Sequence, residues 1–232
     1  MTRQPPRALI FDVDGTLAET EELHRAAFNQ AFAEAGVDAF WSEDLYGRLL
    51  AVTGGKERLA TYFSSLEPPD RDRLMPQIPE LHARKTRLYG EAVRAGRVPF
   101  REGIAELIDA AITRGFRLAI ATTTTADNVA ALLEANLGVG AHPFEVIGAG
   151  DCVAAKKPAP DIYLHVLGCL RLEPVEALAV EDSDNGVRSA NAAGIAVVAT
   201  PSNYCRQHDF FGALAVVRDA RAIMTLLGWN VP

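Results

Sequence analysis

The sequence predicts an α/β fold in which a parallel sheet is interrupted, directly after its first strand, by an all-helical insertion. Two observations carry this. The run Ala8-Leu9-Ile10-Phe11 has strand-forming apolar residues and no polar face, as a strand buried on both sides of a parallel sheet requires. From Val98 onward, short apolar runs alternate with amphipathic helical stretches, the βα repeat of a doubly wound, Rossmann-like sheet. Between these parts, over residues 19 to 96, only helical patterns occur, so the chain divides into a core of residues 1 to 18 and 97 to 232 and a helical bundle inserted into it.

The first strand runs into Asp12-Val13-Asp14-Gly15-Thr16-Leu17, where Gly15 can take the positive φ of a tight turn. Residues i and i+2 of a strand share a face, which would aim Asp12 and Asp14 at one site if the chain has not yet turned there. Two carboxylates so close repel unless a cation or a shared proton compensates, and Mg²⁺ suits such a set best. Thr20 is placed to cap a helix from Glu21, whose Phe28, Ala31, Phe32 and Ala35 lie at i, i+3, i+4 and i+7, and Gly36 to end it. Helices are expected from Ser42 to about Leu50, Gly55 to about Ser64 and Ile78 to Ala95, with a break at Glu67-Pro68-Pro69-Asp70.

In the second part, Ile104, Leu107, Ile108 and Ala111 mark a core-facing helix closed by Gly115, and Leu118–Ala121 is a buried strand. Strands are expected again at Glu145–Ile147, Leu178–Val180, Ala196–Ala199 and Leu214–Val217, with helices from about Ala126, Pro160, Asn185 and Arg218. Ligands of such sheets bind at the carboxyl ends of the strands. One exit carries Thr122-Thr123-Thr124-Thr125 at a helix start, which suits a phosphoryl group but, read alone, is an ordinary helix cap. Lys156 and Lys157 precede a proline-initiated helix, and a further exit carries the acidic run Glu181-Asp182-Ser183-Asp184, whose repulsion needs a cation.

The bulk numbers exclude several classes. A net charge of −7 disfavours nucleic acid, which is bound through clustered positive charge. Three cysteines far apart, with no CxxC pair, indicate neither a disulfide framework nor a zinc site, and five histidines without HxH or HExxH spacing indicate no histidine metal site. Most of the histidines are read as surface or packing residues. The polar stretch Met1 to Arg7 lacks an apolar signal core, and no run is long enough to span a bilayer. A soluble, cytoplasmic monomer acting on a small molecule is the expectation.

Asp12-Val13-Asp14-Gly15-Thr16-Leu17 resembles the signature of the haloacid dehalogenase-like hydrolases, and Thr122, Lys157 and Glu181-Asp182 resemble that family's later motifs in the same order. The helical block is similar to its C1-type cap. Lys157-Pro158-Ala159-Pro160-Asp161 with Glu181-Asp182-Ser183 resembles the β-phosphoglucomutase-like branch. Ala18 to His24, Thr53 to Arg58, Pro201 to Tyr204 and Phe211 to Ala213 resemble the CbbY-type sugar-bisphosphate phosphatases.

The resemblance implies Asp12 as nucleophile, Asp14 as acid and base, and Thr122 and Lys157 as holders of the phosphoryl oxygens. It implies Mg²⁺ bound by the Asp12 side chain, the Asp14 carbonyl and Asp182, with Glu181 acting through a water. Thr16 resembles the phosphatases, where the related mutase has valine. A phosphomutase, a phosphatase of another sugar phosphate such as phosphoglycolate, and a non-catalytic binding protein are the alternatives. For a bisphosphate substrate of the xylulose-1,5-bisphosphate type, the helical block would hold the second phosphate. Its candidates are Thr53, Gly54, Gly55, Lys56 and Arg58 at a helix start, Lys85 on the last cap helix, Glu21 and His24 on one face of the first, and Tyr46, with Thr123 on the core side. Taken singly, each is as readily a cap, a solvated face or a packing residue.

Overall fold

The structure, a computed structural model, describes residues 5–96 and 98–229. Strand β1 (Ala8–Phe11) leads into five helices, α1 (Glu21–Glu34), α2 (Glu43–Leu49), α3 (Gly55–Ser64), α4 (Pro68–Leu74) and α5 (Ile78–Arg94). There follow α6 (Ile104–Thr113), β2 (Arg117–Ala121), α7 (Ala126–Leu137), β3 (Phe144–Gly148), α8 (Asp161–Leu170), β4 (Ala177–Glu181), α9 (Asp184–Ala192), β5 (Ala196–Ala199), β6 (Ala215–Val216) and α10 (Ala220–Leu226). The strands pair in parallel in the order β3-β2-β1-β4-β5-β6, so β1 lies beside the point where the winding reverses. Everything that leaves its carboxyl end enters the crevice between the two halves of the sheet.

The period-two alternation of the strands explains the two layers of core. Leu9, Phe11, Leu118, Ile120, Leu178 and Val180 face the cluster built with α6, α7 and α10, while Ala8, Ile10, Ala119, Ala121 and Ala179 face α8 and α9. A third cluster, with Phe28, Phe32, Trp41, Tyr46, Leu59 and Phe63, is built by the helical block, and Tyr204 from the sheet side packs against it. The inner faces of α1 and α5 nevertheless supply Ala27, Ala31, Leu88, Tyr89 and Val93 to the first cluster. Ala18 and Phe100 form an antiparallel bridge, so the two connections between block and sheet run side by side.

Two expectations are corrected here. Glu67-Pro68-Pro69-Asp70 is not a break but the start of α4, because prolines at the first helical positions lose only N–H groups that have no helical partner anyway. Thr20 does stand at the N-cap of α1 but makes no side-chain capping bond; its hydroxyl is directed to Asp14 instead. Met1 to Gln4, part of the polar amino terminus, and Arg97, within the second connection, lie outside the described residues. Among the described residues no helix is long and apolar enough to cross a membrane.

Candidate active site

A cavity of about 590 Å³ opens between the carboxyl ends of the strands and the helical block. Asp12 follows β1 directly, and its backbone N–H donates to Val180 O at 3.0 Å, which holds it in line with the sheet. Lys157, 5 % exposed, donates all three of its protons: to Asp12 Oδ1 at 2.7 Å, Glu181 Oε1 at 2.6 Å and Ala121 O at 2.8 Å. Tyr163, buried on α8, donates its hydroxyl to the same Glu181 oxygen at 2.5 Å. Lys157 therefore joins the ends of three strands through one ammonium group. It is expected at the phosphoryl oxygens, but it can touch them only by giving up one of these bonds.

Asp12, Glu181 and Asp182 present oxygens within 4.8 Å of one another, all three residues buried. Against three carboxylates stands one ammonium, so a divalent cation balances the charge that remains. The shape agrees. Glu181 Oε2 is buried without a hydrogen-bond partner among the described residues. A Cβ on Gly15 would lie 2.2 Å from Asp182 Oδ2, and one on Gly186 would lie 1.8 Å from Glu181 Oε2, so both glycines make room for the carboxylates. Such a set of hard oxygens fits Mg²⁺.

The titration behaviour follows from the same crowding. Burial raises the pKa of Asp12 most, Lys157 pulls it down, and Glu181 and Asp182 push it up again, leaving it well above the usual carboxylate range. Burial, then Glu181, pushes Asp182 up to about 8. A carboxyl group raised in the folded state stabilises the fold below its unfolded pKa and loses that contribution as pH rises through the folded value. Metal-free protein should therefore lose stability between about pH 4 and pH 8, and added Mg²⁺ should flatten the slope. Denaturant midpoints in chelator and in Mg²⁺ at both ends of that window check this, and identical slopes would exclude a cation at these carboxylates.

Asp14 lines the same cavity as Asp12 but takes different partners. The chain turns at Val13, and Asp14 Oδ1 accepts from Thr20 Oγ1 at 2.6 Å and from His24 Nε2 at 2.9 Å. Lys85 donates to His24 Nδ1 at 2.6 Å, which leaves Nε2 as the protonated nitrogen facing Asp14. Burial works against the Asp14 anion, but the facing His24 and the hydrogen bonds from His24 and Thr20 outweigh it and hold the carboxyl well below its usual range. Burial in turn lowers Lys85 to about 8. The compensation for Asp14 is this chain and not the cation. Its side chain stands outside the carboxylate group, and only its carbonyl is left as a candidate ligand.

The remaining expected residues divide. Glu21, His24, Thr53, Gly54, Gly55, Lys56, Arg58, Lys85, Thr122 and Thr123 all line the cavity. Tyr46 does not; it is buried among aromatic rings and touches the cavity lining through Glu21, to which its hydroxyl donates at 2.6 Å, and through Arg58. Arg58 is no solvated cation but a buried brace, donating to Tyr46 Oη at 3.0 Å and to the carbonyls of Leu49 and Val52. Lys56 donates to Asp151 Oδ2 at 2.8 Å, across the cavity mouth, where Lys156 holds the other oxygen at 2.8 Å. Thr53 accepts from Asn185 Nδ2 at 3.2 Å, a second contact between block and sheet. On the core side, Thr125 and not Thr122 is the N-cap of α7, which leaves Thr122 facing the cavity.

Sequence reasoning missed Tyr163, Asn128, Asp151 and His82. Asn128 lines the cavity with a buried Oδ1 that has no partner among the described residues, and Tyr163 carries only the sequence signal of an apolar helix stripe. Asp151, in the loop after β3, has no signal at all.

Comparison with known proteins adds to this geometry. Residues 6–194 match the family model described as haloacid dehalogenase-like hydrolase. The chain is 52 % identical to protein CbbY of Rhodobacter capsulatus, over 94 % of this chain and 96 % of that one. It is 32 % identical to a phosphorylated carbohydrates phosphatase of Thermotoga maritima, over 81 % of this chain and 82 % of that one. The crystal structure of an Asp-to-Asn mutant of CbbY from Rhodobacter sphaeroides, in complex with xylulose-(1,5)bisphosphate, superposes with a TM-score of 0.85 at 44 % identity, covering 93 % of this chain and 95 % of that one. With the strand that ends at Asp12, the buried lysine and the carboxylate group at the carboxyl edge of a parallel sheet, the protein belongs to the haloacid dehalogenase-like hydrolases, as an enzyme of their phosphatase class.

Proposed function

We propose that the protein is an Mg²⁺-dependent phosphatase that hydrolyses a small sugar bisphosphate of the xylulose-1,5-bisphosphate kind through a phosphorylated Asp12. The carrying observation is the cavity itself, with Asp12, a buried ammonium and a carboxylate group on its floor and an anion-compatible helix start on its roof. The relative crystallised with that bisphosphate supports the choice of substrate.

In this reading Asp12 Oδ attacks phosphorus in line and the bond to the leaving oxygen breaks, splitting one hard step into two. Asp14 is an anion in the free protein; in this reading it takes up a proton as the negative substrate enters, gives it to the leaving oxygen, and then takes one from the water that attacks phosphorus and releases Asp12. Thr20 and His24 hold Asp14 at the border of core and roof for that role. Asp12, Asp182 and the Asp14 carbonyl would hold Mg²⁺, with Glu181 reaching it through a water. The ion would supply positive charge to the transferring phosphoryl oxygens. Thr122 and Thr123 donate to the same group, and Lys157 keeps Asp12 and Glu181 from repelling one another.

Residues 19 to 96 act as the specificity cap, hinged near residues 18 to 20 and 96 to 99, and the side-by-side pairing of Ala18 with Phe100 supports the hinge. Closure would keep bulk water from the phosphorylated aspartate. The cap binds the phosphate that is not cleaved, at Thr53-Gly54-Gly55-Lys56, where Gly54 stands at the N-cap of α3 with φ +99°. The test is phosphate release from paired mono- and bisphosphates. Lys56→Gln removes the charge without setting a carboxylate against Asp151. It should raise KM for the bisphosphate about tenfold and change the monophosphate values far less. Equal effects on both substrates, or a wild-type enzyme indifferent to the second phosphate, would overturn the reading.

A further inference from the structure

We propose that His82 is a further phosphate-binding residue of the cavity, one that takes up a proton from solvent when a bisphosphate binds and donates a hydrogen bond to the phosphoryl group that is not cleaved. This rests on the bisphosphate reading above and adds a residue to it that the sequence marks only as surface or packing.

Three histidines line the cavity. His24 is spoken for by Asp14 and Lys85, and His208 Nδ1 accepts from the Asp184 N–H at 3.1 Å. His82 lines the same cavity, yet among the described residues it makes no hydrogen bond and no ion pair. Its ring nitrogens are not among the fully buried unpartnered atoms, so they stay open to the water of the cavity and to a ligand oxygen that displaces it.

Its position says which ligand. His82 lies three residues before Lys85 on α5, and its ring rests on Gly55, the first residue of α3. A Cβ on Gly55 would come within 2.6 Å of Nε2, so only a glycine there lets the ring lie over the helix start. The charged and titratable groups that face it are Lys85 from its own helix, Lys56 from α3, His24 from α1 and Asp151 from the loop after β3. The two lysines outnumber the one carboxylate. Nothing in that set rewards a charge on His82, but a phosphoryl dianion between the two lysines would. In the free protein, burial first and then Lys85 and Lys56 lower the imidazole to about 4, so it stands neutral there at physiological pH. Bound phosphate reverses the sign of the field and raises that value. The contribution of His82 to binding is therefore present at low pH and lost as pH rises through the bound-state value.

The experiment measures kcat/KM with Mg²⁺ for xylulose-1,5-bisphosphate and for its two monophosphates, from pH 6 to 9, in wild type, His82→Leu and His82→Gln. Wild type should prefer the bisphosphate, with a preference that shrinks as pH rises. His82→Leu should cut that preference about ten- to a hundredfold at pH 6 and flatten its slope to the part that Lys85, lowered to about 8, contributes, and His82→Gln should restore part of the preference on the same flattened slope. A second readout, independent of turnover, is the His82 ring resonance of ¹³C-histidine-labelled Asp12→Asn protein. It should move to the protonated position on adding the bisphosphate and stay unmoved with either monophosphate. A wild-type preference and slope that survive in both variants, or an unmoved resonance, would overturn the role of His82 and leave the bisphosphate reading standing. A wild type with no preference would overturn that reading itself, and the role of His82 with it.

Discussion

Asp12→Asn is expected to lower turnover by at least about a thousandfold while leaving the fold intact. The amide oxygen still accepts from Lys157, so the 2.7 Å contact and the packing beneath it survive. What is lost is the proposed nucleophile, because an amide nitrogen or oxygen is a poor attacking group, and one of the charges that would hold the metal. Mass spectrometry of rapidly quenched wild-type enzyme should show one added phosphoryl group on the peptide containing Asp12, and the variant should show none. A variant turning over at more than a tenth of the wild-type rate would mean that the phosphoryl group passes directly to water.

Lys157→Met is expected to damage stability and activity together, for one electrostatic reason. The side chain keeps its length but loses the ammonium that lies between Asp12 and Glu181. Burial opposes the charge on Lys157, yet Asp12 and Glu181 outweigh it and raise its pKa, so the charge stabilises the fold at every pH below the unfolded lysine value. Breaking a buried pair of this kind costs about 3–5 kcal/mol. In the variant the three carboxylates face one another without a cation, and each proton they retain is one that the unfolded chain would release. The folded variant thus holds more protons than its unfolded state, so its stability falls as pH rises. Urea denaturation in chelator should show a deficit against wild type that is wider at pH 8 than at pH 5.5, with Mg²⁺ recovering part of it. A deficit independent of pH would place the damage in packing, not in the carboxylates. Activity with Mg²⁺ should fall about a thousandfold or more, since Asp12 is then no longer oriented by the ends of β2 and β4.

Much of the architecture was legible from short-range physics. An apolar run such as Ala8–Phe11 has no alternative to a strand buried on both faces, and the stripes of α1, α3 and α6 have one face to bury. Pro68-Pro69 misled because proline forbids the middle of a helix and favours its first turn, and the sequence does not say which of these the pair occupies. Glu181 closes β4 itself instead of following it, since a buried lysine and a tyrosine hydroxyl pair its carboxylate inside the sheet.

By itself the sequence determined the order of elements, the insertion of a helical block after β1, and the identity of the residues delivered to the strand ends, because these follow from local periodicity, turn chemistry and motif spacing. Partner choice was decided only by the tertiary structure. Two carboxylates one residue apart go to different partners, Asp12 to Lys157 and Asp14 to His24. Lys56 meets Asp151, ninety-five residues away, and Arg58 turns inward to carbonyls. His82 is left over the start of α3 with no partner among the described residues. Those outcomes depend on which long, flexible side chains the packing of block on sheet brings within about 3 Å of each other, and an ion pair or hydrogen bond between distant segments leaves no periodic trace in either of them.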